Sequence, residues 1–335
     1  MKKWRLWGGI LVSLLCVFLL ARGMDFRSLL AALSHTKWVW LVPAFAILVG
    51  GMYARALRWR LLLHPLPGLR TGRLFSLLNL SYLVNNISPF RLGDVLRAYL
   101  CAELQQLSFV RALSTVVIER VADTLAIVSL LLALLPFISL PAYIVRPAFG
   151  IGLVSLAAAC LLVLLALRRE WSLALFDRLS ARLAFLQRTP LRRLLVSAVD
   201  GLAALGSWRR AAGVLAWSFV IWLATALQFY IVMQAAGLRL PFAAALSVLC
   251  LTSLGMVVPS SPGYVGVFEY ITVVALSLFA ISREEALSYA LALHGLSYLA
   301  LAFLGTAALW SEGYSYARLR EVAARAGGGE LETRD

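Results

Sequence analysis

Residues 246–258 and 267–280 are two apolar runs, and the stretch between them holds Pro259-Ser260-Ser261-Pro262-Gly263-Tyr264-Val265-Gly266. Neither run reaches the roughly 20 residues that a helix needs to cross a bilayer. Two prolines and two glycines in so short a space cannot carry a helix through. Ser261-Pro262 reads instead as a new helix start, with serine as the cap and proline in the first helical position. Interrupted backbone at membrane depth is tolerated only where protein buries it or where it lines a wet cavity. Transporters build substrate sites from such breaks, and here a carboxylate, Glu269, follows directly. The plainer alternative is an extracytoplasmic turn between two short helices.

The pattern Ser-Pro-x-x-x-Gly occurs a second time, at Ser88, Pro89 and Gly93, and is again followed by a carboxylate, Asp94. Each copy follows an apolar run. Three matched positions make a thin repeat that helix-start chemistry alone could produce, so its meaning depends on topology.

Of the 335 residues, 62% are apolar and 14% charged, against about 45–50% and about 25% in soluble domains. The expected fold class is an all-α polytopic integral membrane protein: about six full spans plus two broken or re-entrant helical hairpins, residues 74–100 and 246–280. Residues 1–325 read as one transmembrane domain with a basic cytoplasmic loop at 168–210, and residues 326–335 as a disordered tail. The net charge of +15 collects at the ends of apolar runs, as in cytoplasmic loops facing anionic lipid, so nucleic acid is not expected as a partner. Cys16, Cys101, Cys160 and Cys250 have no paired spacing, which argues against a disulfide framework or a metal knuckle. No metal or other cofactor is expected, and no Walker loop or Gly-x-Ser-x-Gly is present.

Topology follows from the arginines. The basic start and first apolar run, 6–21, read as an uncleaved helix with its N-terminus inside. A second span begins at Trp38. Between residues 55 and 73 stand Arg55, Arg58, Arg60, Arg70 and Arg73 with no acid, which marks that end as cytoplasmic. Further spans are expected over 113–135, 148–167, 215–236 and 286–310. Nine arginines against three acids between 168 and 210, and Arg318, Arg320 and Arg325 near the end, place that loop and the C-terminus inside too. Trp171, Leu175, Leu179 and Leu183 recur about every four residues, the pattern of a helix lying on the membrane. Parity then makes residues 74–111 begin and end inside, and residues 237–285 begin and end outside. Similar motifs entering from opposite faces are what an inverted repeat looks like. The expected location is the cytoplasmic membrane, with both termini cytoplasmic.

Four stretches in this order resemble a known family: Arg55-Ala-Leu-Arg58-Trp59-Arg60, Asn85-Asn86-Ile87-Ser88-Pro89-Phe90-Arg91-Leu92-Gly93-Asp94-Val95-Leu96-Arg97, Glu119-Arg120-Val121-Ala122-Asp123, and Pro259 to Glu269. The set is similar to the transmembrane domain of lysylphosphatidylglycerol synthases and the standalone flippase-like proteins related to them. In that family Gly93-Asp94 is more often Gly-Glu. The synthases carry an aminoacyltransferase domain after the membrane part. Because the sequence stops at Asp335, that activity is expected to be absent. The resemblance implies lipid translocation, with hopanoid- and glycolipid-related roles for some members.

The candidate head-group and cavity residues are Asn85, Asn86, Arg91, Asp94, Arg97, Glu119, Arg120, Asp123, Ser261, Gly263, Gly266 and Glu269. Glu119 and Asp123 share a helix face, and Arg120 is within reach of Asp123. Charges inside a span are costly and usually mark function, although a structural ion-pair cluster with Arg91, Asp94 or Arg97 would explain them as well. Arg91 and Arg97 are the natural phosphate contacts, with snorkelling to the cytoplasmic surface as the alternative. The asparagines either bond a head group or satisfy the broken backbone. Half-helices starting near Ser88 and Ser261 would aim partial positive charge at phosphate. Gly263 and Gly266 would leave room for close approach of lipid or of the opposing motif, and Glu269 would select a cationic head group or hold Arg91 or Arg97. His294 reads first as an interhelical hydrogen-bonding group and second as a proton relay. The function expected is a flippase-like transporter of a phospholipid or lipid-linked intermediate. The alternatives are a membrane-embedded transferase, with Asp94, Glu119 or Glu269 as base, and a non-catalytic partner in lipid biosynthesis. The expected partner is a membrane lipid with an anionic or lipid-linked head group, with a homo-oligomer or a partner enzyme left open.

Overall fold

A computed structural model describes residues 3–313, except positions 65, 67, 89–91, 139, 183–188 and 257–259. Arg91, Pro259, the arginines at 318–325 and the 326–335 tail therefore lie outside the described residues. Among those described, thirteen α-helices and a few 3-10 turns make up the regular structure, and no strand occurs. The all-α membrane class expected from composition holds, as four helical stretches are each long and apolar enough to cross a bilayer. They are Trp38–Leu62, Ala142–Leu167, Trp208–Ala235 and Arg283–Ser311.

The chain opens with α1 (Lys3–Ala21) and α2 (Phe26–Ser34), bent by 92° from one another. Asp25 starts α2 by accepting from the Arg27 N–H. At nine residues α2 is too short to show a strong periodic signal in sequence. A long α3 (Leu41–Leu62) leads to the first hairpin, α4 (Thr71–Ile87) and α5 (Leu92–Gln105), and then to α6 (Phe109–Leu134). After α7 (Ala142–Leu167) come the short α8 (Arg169–Arg182) and α9 (Thr189–Gly201). Trp171 and Leu175 of α8 are exposed; Leu183, the last residue of the four-residue pattern, lies outside the described residues. The second half repeats the first: α10 (Trp208–Ala235), a hairpin of α11 (Phe242–Gly255) and α12 (Val267–Ser277), and α13 (Arg283–Ser311).

The packing has the symmetry of a repeat. α4 lies on α3 as α11 lies on α10, α5 meets α6 as α12 meets α13, and across the halves α4 packs on α13 as α11 packs on α6. The most extensive contact is between α3 and α10, and they run antiparallel. Lys37 N–H donates to the Ala235 carbonyl at one end (2.8 Å), Arg58 donates to Ser218 further along, and Gly213 lies against Leu61 near the other end. Counterparts that run antiparallel make the repeat an inverted one.

The two hairpins also point at each other. The start of α4 sits beside the end of α13, where Arg73 pairs with Glu312 at 3.2 Å. The end of α4 reaches the middle of α13, where the Tyr298 hydroxyl donates to the Asn86 carbonyl (3.4 Å). α12 runs back along α13 from that same level, Glu269 touching His294. Both breaks thus lie about halfway along α13, whose 29 residues extend about 44 Å at 1.5 Å per residue. Each hairpin is pinned by a glycine. A methyl group on Gly93 would lie 1.9 Å from the Ser81 carbonyl oxygen of α4, and one on Gly255 would lie 2.3 Å from Ile271 of α12.

Outside this bundle, α1 packs on α12, α2 on α13, and α7 on α6. Leu11, Leu14 and Phe18 of α1 and Phe149, Leu153 and Val154 of α7 are exposed. Large apolar side chains turned outward on a polytopic chain face hydrocarbon.

Candidate functional site

The first break sits beside a network of charges contributed by three helices, α3, α5 and α6. On α6, Glu119 and Asp123 are one turn apart and both buried, as the i,i+4 spacing requires. Arg58 of α3 grips Asp123 with both terminal nitrogens, its Nη2 at 3.2 Å from Oδ2. Its Nη1 also donates to Ser218 of α10 (2.7 Å), and Nη2 lies 3.6 Å from Glu119. Arg97 of α5 is 1% exposed. It donates to Glu119 at 2.5 Å, lies 3.5 Å from Asp94 and stacks over the Trp59 ring at 4.9 Å. Arg120, partly buried, donates to Asp94 (3.1 Å). Trp222 of α10 donates its ring N–H to Asp123 (3.0 Å), with Arg55 over its face at 5.6 Å. Arg55 in turn donates to the Tyr82 hydroxyl (3.2 Å).

Asp94, Arg97, Glu119, Arg120 and Asp123 are therefore brought together. Arg120 does not bond Asp123 but Asp94 of the preceding helix, one of the partners that an ion-pair cluster offered, and Asp123 is taken by Arg58. Arg58, Ser218, Trp59 and Trp222 were not expected in the site. Arg58, one of the five arginines that mark the cytoplasmic end of α3 in the sequence, is 2% exposed. The signal was the apolar stretch Leu61-Leu62-Leu63 that continues beyond it, which keeps α3 in the bundle for another turn.

The asparagines serve the two breaks separately. Asn85 Oδ1 accepts from the Gly93 N–H at the start of α5 (2.8 Å). The Asn86 carbonyl takes the Tyr298 hydroxyl, and its Nδ2 is buried with no partner among the described residues.

The second break is built differently from the expected half-helix. Ser261-Pro262 does start a helical turn, but it is one 3-10 turn, Pro262–Tyr264, ended by Gly263 at φ +72°. The long helix restarts at Val267, with Gly266 as its cap at φ +85°. Glu269 therefore stands in the first turn of α12, and its Oε2 accepts from the Gly266 N–H at 2.7 Å. The Ser261 N–H donates to Ser13 of α1 (2.9 Å). Both of these donors at the break have protein acceptors. Nor is the space beside the glycines open. A methyl on Gly263 would meet the Tyr298 ring at 2.8 Å, and one on Gly266 the Ser13 carbonyl of α1 at 2.8 Å. Glu269 is buried and does not join Arg97. Its Oε1 lies 2.5 Å from His294 Nδ1, which bears out an interhelical bond for this histidine. The Phe268 ring packs on the imidazole at 4.8 Å.

Among the described residues, no cluster of three or more metal-ligating side chains occurs. The site is a set of fixed charges held by tryptophans and by two interrupted hairpins, and such a set can bind and orient ions or polar head groups. In comparisons with known proteins, a family model described as "Lysylphosphatidylglycerol synthase TM region" matches residues 6–305 of the chain. No curated protein and no solved structure matches it.

Proposed function

The chain belongs to the lysylphosphatidylglycerol synthase transmembrane-region family, and on that premise we propose that it carries a phospholipid or lipid-linked intermediate across the cytoplasmic membrane. Membership itself ties the chain to membrane lipid metabolism; transport is the finer reading. The observation that carries it is the buried cluster of Arg58, Arg97, Glu119 and Asp123 beside the first break. Ionisable groups at bilayer depth cost from about 2.5 kcal/mol each upward. Buried ion pairs are often no more stabilising than apolar residues of the same volume, so stability alone is a weak reason to keep them.

In the network Arg55, Arg58, Arg97 and Arg120 outnumber Asp94, Glu119 and Asp123 by one, which favours an anion. Guanidinium groups bind phosphate bidentately. Arg97 Nη1 and Arg120 Nε are buried without partners among the described residues, so both have donors to give. On this reading the two hairpins are re-entrant from opposite faces. Asn85, Asn86, Asp94, Arg97, Glu119, Arg120 and Asp123 line the head-group path while the acyl tails remain in lipid. Ser261, Gly263, Gly266 and Glu269 form the second break, which moves against the first.

Purified protein reconstituted in vesicles with a fluorescent anionic phospholipid tests the reading. Wild-type protein should move the lipid between leaflets, and Arg97→Gln should slow it about tenfold or more, the loss of roughly 1.4 kcal/mol of barrier lowering. Mass spectrometry of co-purified lipid identifies the cargo. Vesicles in which wild-type protein moves no tested or co-purified lipid faster than protein-free vesicles do would refute transport.

A further inference from the structure

The inverted repeat places the Glu269–His294 pair opposite a pair in the first half. α6 is capped by Ser108 and α13 by Ser282, and Arg120 and His294 each stand twelve residues after their capping serine. Both bond a carboxylate in the first turn of the preceding half-helix: Arg120 bonds Asp94 of α5, and His294 bonds Glu269 of α12. The same position thus holds a permanently charged group in one half and a titratable one in the other.

We propose that Glu269 and His294 form a proton-binding site that is loaded and unloaded once per transport cycle, with Asp94–Arg120 as its permanently charged counterpart. The proposal rests on the transport reading above. In the unloaded state the neutral imidazole donates from Nδ1 to the Glu269 carboxylate, and Nε2 carries the lone pair. Among the described residues no protein group bonds that nitrogen, and the imidazole side chain is 16% exposed. A hydronium ion gives its proton to Nε2 and leaves as water; unloading returns the proton to water on the other side. Unloaded, the pair carries one net negative charge halfway along α13. Loaded, it is neutral, like Asp94–Arg120, and moving it through low dielectric costs less. Glu269 makes the coupling mechanical, since its other oxygen holds the Gly266 N–H at the break.

Few other groups compete for the proton. On α11 the titratable group is Cys250, which bonds the Ile127 carbonyl. On α13 they are Tyr289, which donates to the Phe229 carbonyl, and Tyr298, which donates to Asn86. α1 carries Cys16 in its apolar stretch, and α12 adds only Tyr270. α4 brings Tyr82, which is held by Arg55 of α3. The remaining charges of α13, Arg283, Glu284 and Glu285, lie in its first turn, and Arg73 of α4 lies beside its far end. Near the start of α13 the Asp25 backbone N–H donates to Glu284 (3.5 Å), α2 carries Arg27, and α10 presents the neutral Gln228, bonded to Ser297.

The chain has three histidines, His35, His64 and His294, so protein labelled with 15N-histidine in lipid nanodiscs reports each imidazole, and His294→Gln assigns the signal. We expect the His294 signal to change between its neutral and imidazolium forms across pH 5 to 9, and to differ in Glu269→Gln, where the bonded carboxylate is gone. Because one proton is loaded per cycle, lipid flipping should rise on the order of tenfold between pH 8 and pH 6 in wild type. It should be flat in His294→Gln and also in His294→Arg, which copies the first half and keeps the ion pair if the glutamine variant folds poorly. A His294 signal that does not move from pH 5 to 9, or full wild-type pH dependence in either variant, overturns the proposal while leaving transport intact. A titrating imidazole in a protein that flips no lipid supports proton binding and defeats the transport reading instead.

Discussion

Arg58 shows how far a single buried charge can carry the bundle. It joins α3 to two carboxylates of α6 and to Ser218 of α10. Arg58→Ala would leave Glu119 with Arg97 alone and Asp123 with no bonded guanidinium, and breaking a buried pair from one side costs about 3–5 kcal/mol. The expected outcome is a large fall in melting temperature and in monodisperse yield in detergent. Arg73→Ala removes a pair whose arginine side chain is 52% exposed, and should change stability by no more than about 1 kcal/mol. Thermal unfolding of both variants checks the contrast. Glu119 and Asp123 could be recognised from the sequence because charges stand out inside an apolar run. Arg58 is harder to recognise, because it sits among Arg55 and Arg60 near a run's end, and the apolar Leu61-Leu62-Leu63 beyond it is the one local sign that the helix stays in the bundle. The partner of Glu269 was hidden for another reason, since a lone histidine 25 residues away has no spacing rule that ties it to a carboxylate.

At the scale of elements, the two hairpins were legible as interruptions, and the details of their turns were not. Proline and glycine announce where a helix stops, but where it restarts depends on tertiary contacts. Gly266 begins α12 because Glu269 bonds its N–H, not because Pro262 comes earlier. Close packing of the first hairpin gives a sharp test. Gly93→Ala would drive a methyl into the backbone carbonyl of Ser81, and overpacking of this kind costs about 1–3 kcal/mol, sometimes more. Gly50→Ala on α3 meets nothing within 4 Å and should be neutral or stabilise by up to about 1 kcal/mol. Chemical unfolding or fluorescence-detected melting distinguishes them. Gly266→Leu should disturb assembly, because the new side chain would press on Ser13 and Val17 of α1 at a backbone angle that disfavours any side chain. Size-exclusion profiles should show aggregated or shifted material. A profile identical to wild type would mean that α1 does not sit where described.

For the molecule as a whole, the arginine distribution predicts both termini on the cytoplasmic side. In a variant without its four cysteines, Tyr143→Cys before α7 should react with an impermeant thiol reagent added to spheroplasts, and Arg178→Cys on α8 should react only after lysis. The opposite pattern would reverse the orientation. The seat of α1 has a consequence for how the chain is made. Ser13 accepts its bond from Ser261, 248 residues later, and Gly9 lies against Ser260. At synthesis rates of about 5–20 residues per second, the first helix to enter the membrane waits roughly 12–50 s for its docking surface to be translated. Arg58 likewise waits for Ser218 and Asp123 for Trp222. A ribosome halted between the halves would therefore hold a nascent chain with exposed charges and an undocked leading helix, a form that membrane insertases and quality-control proteases can recognise. Completion of the second half is then the committing step of biogenesis.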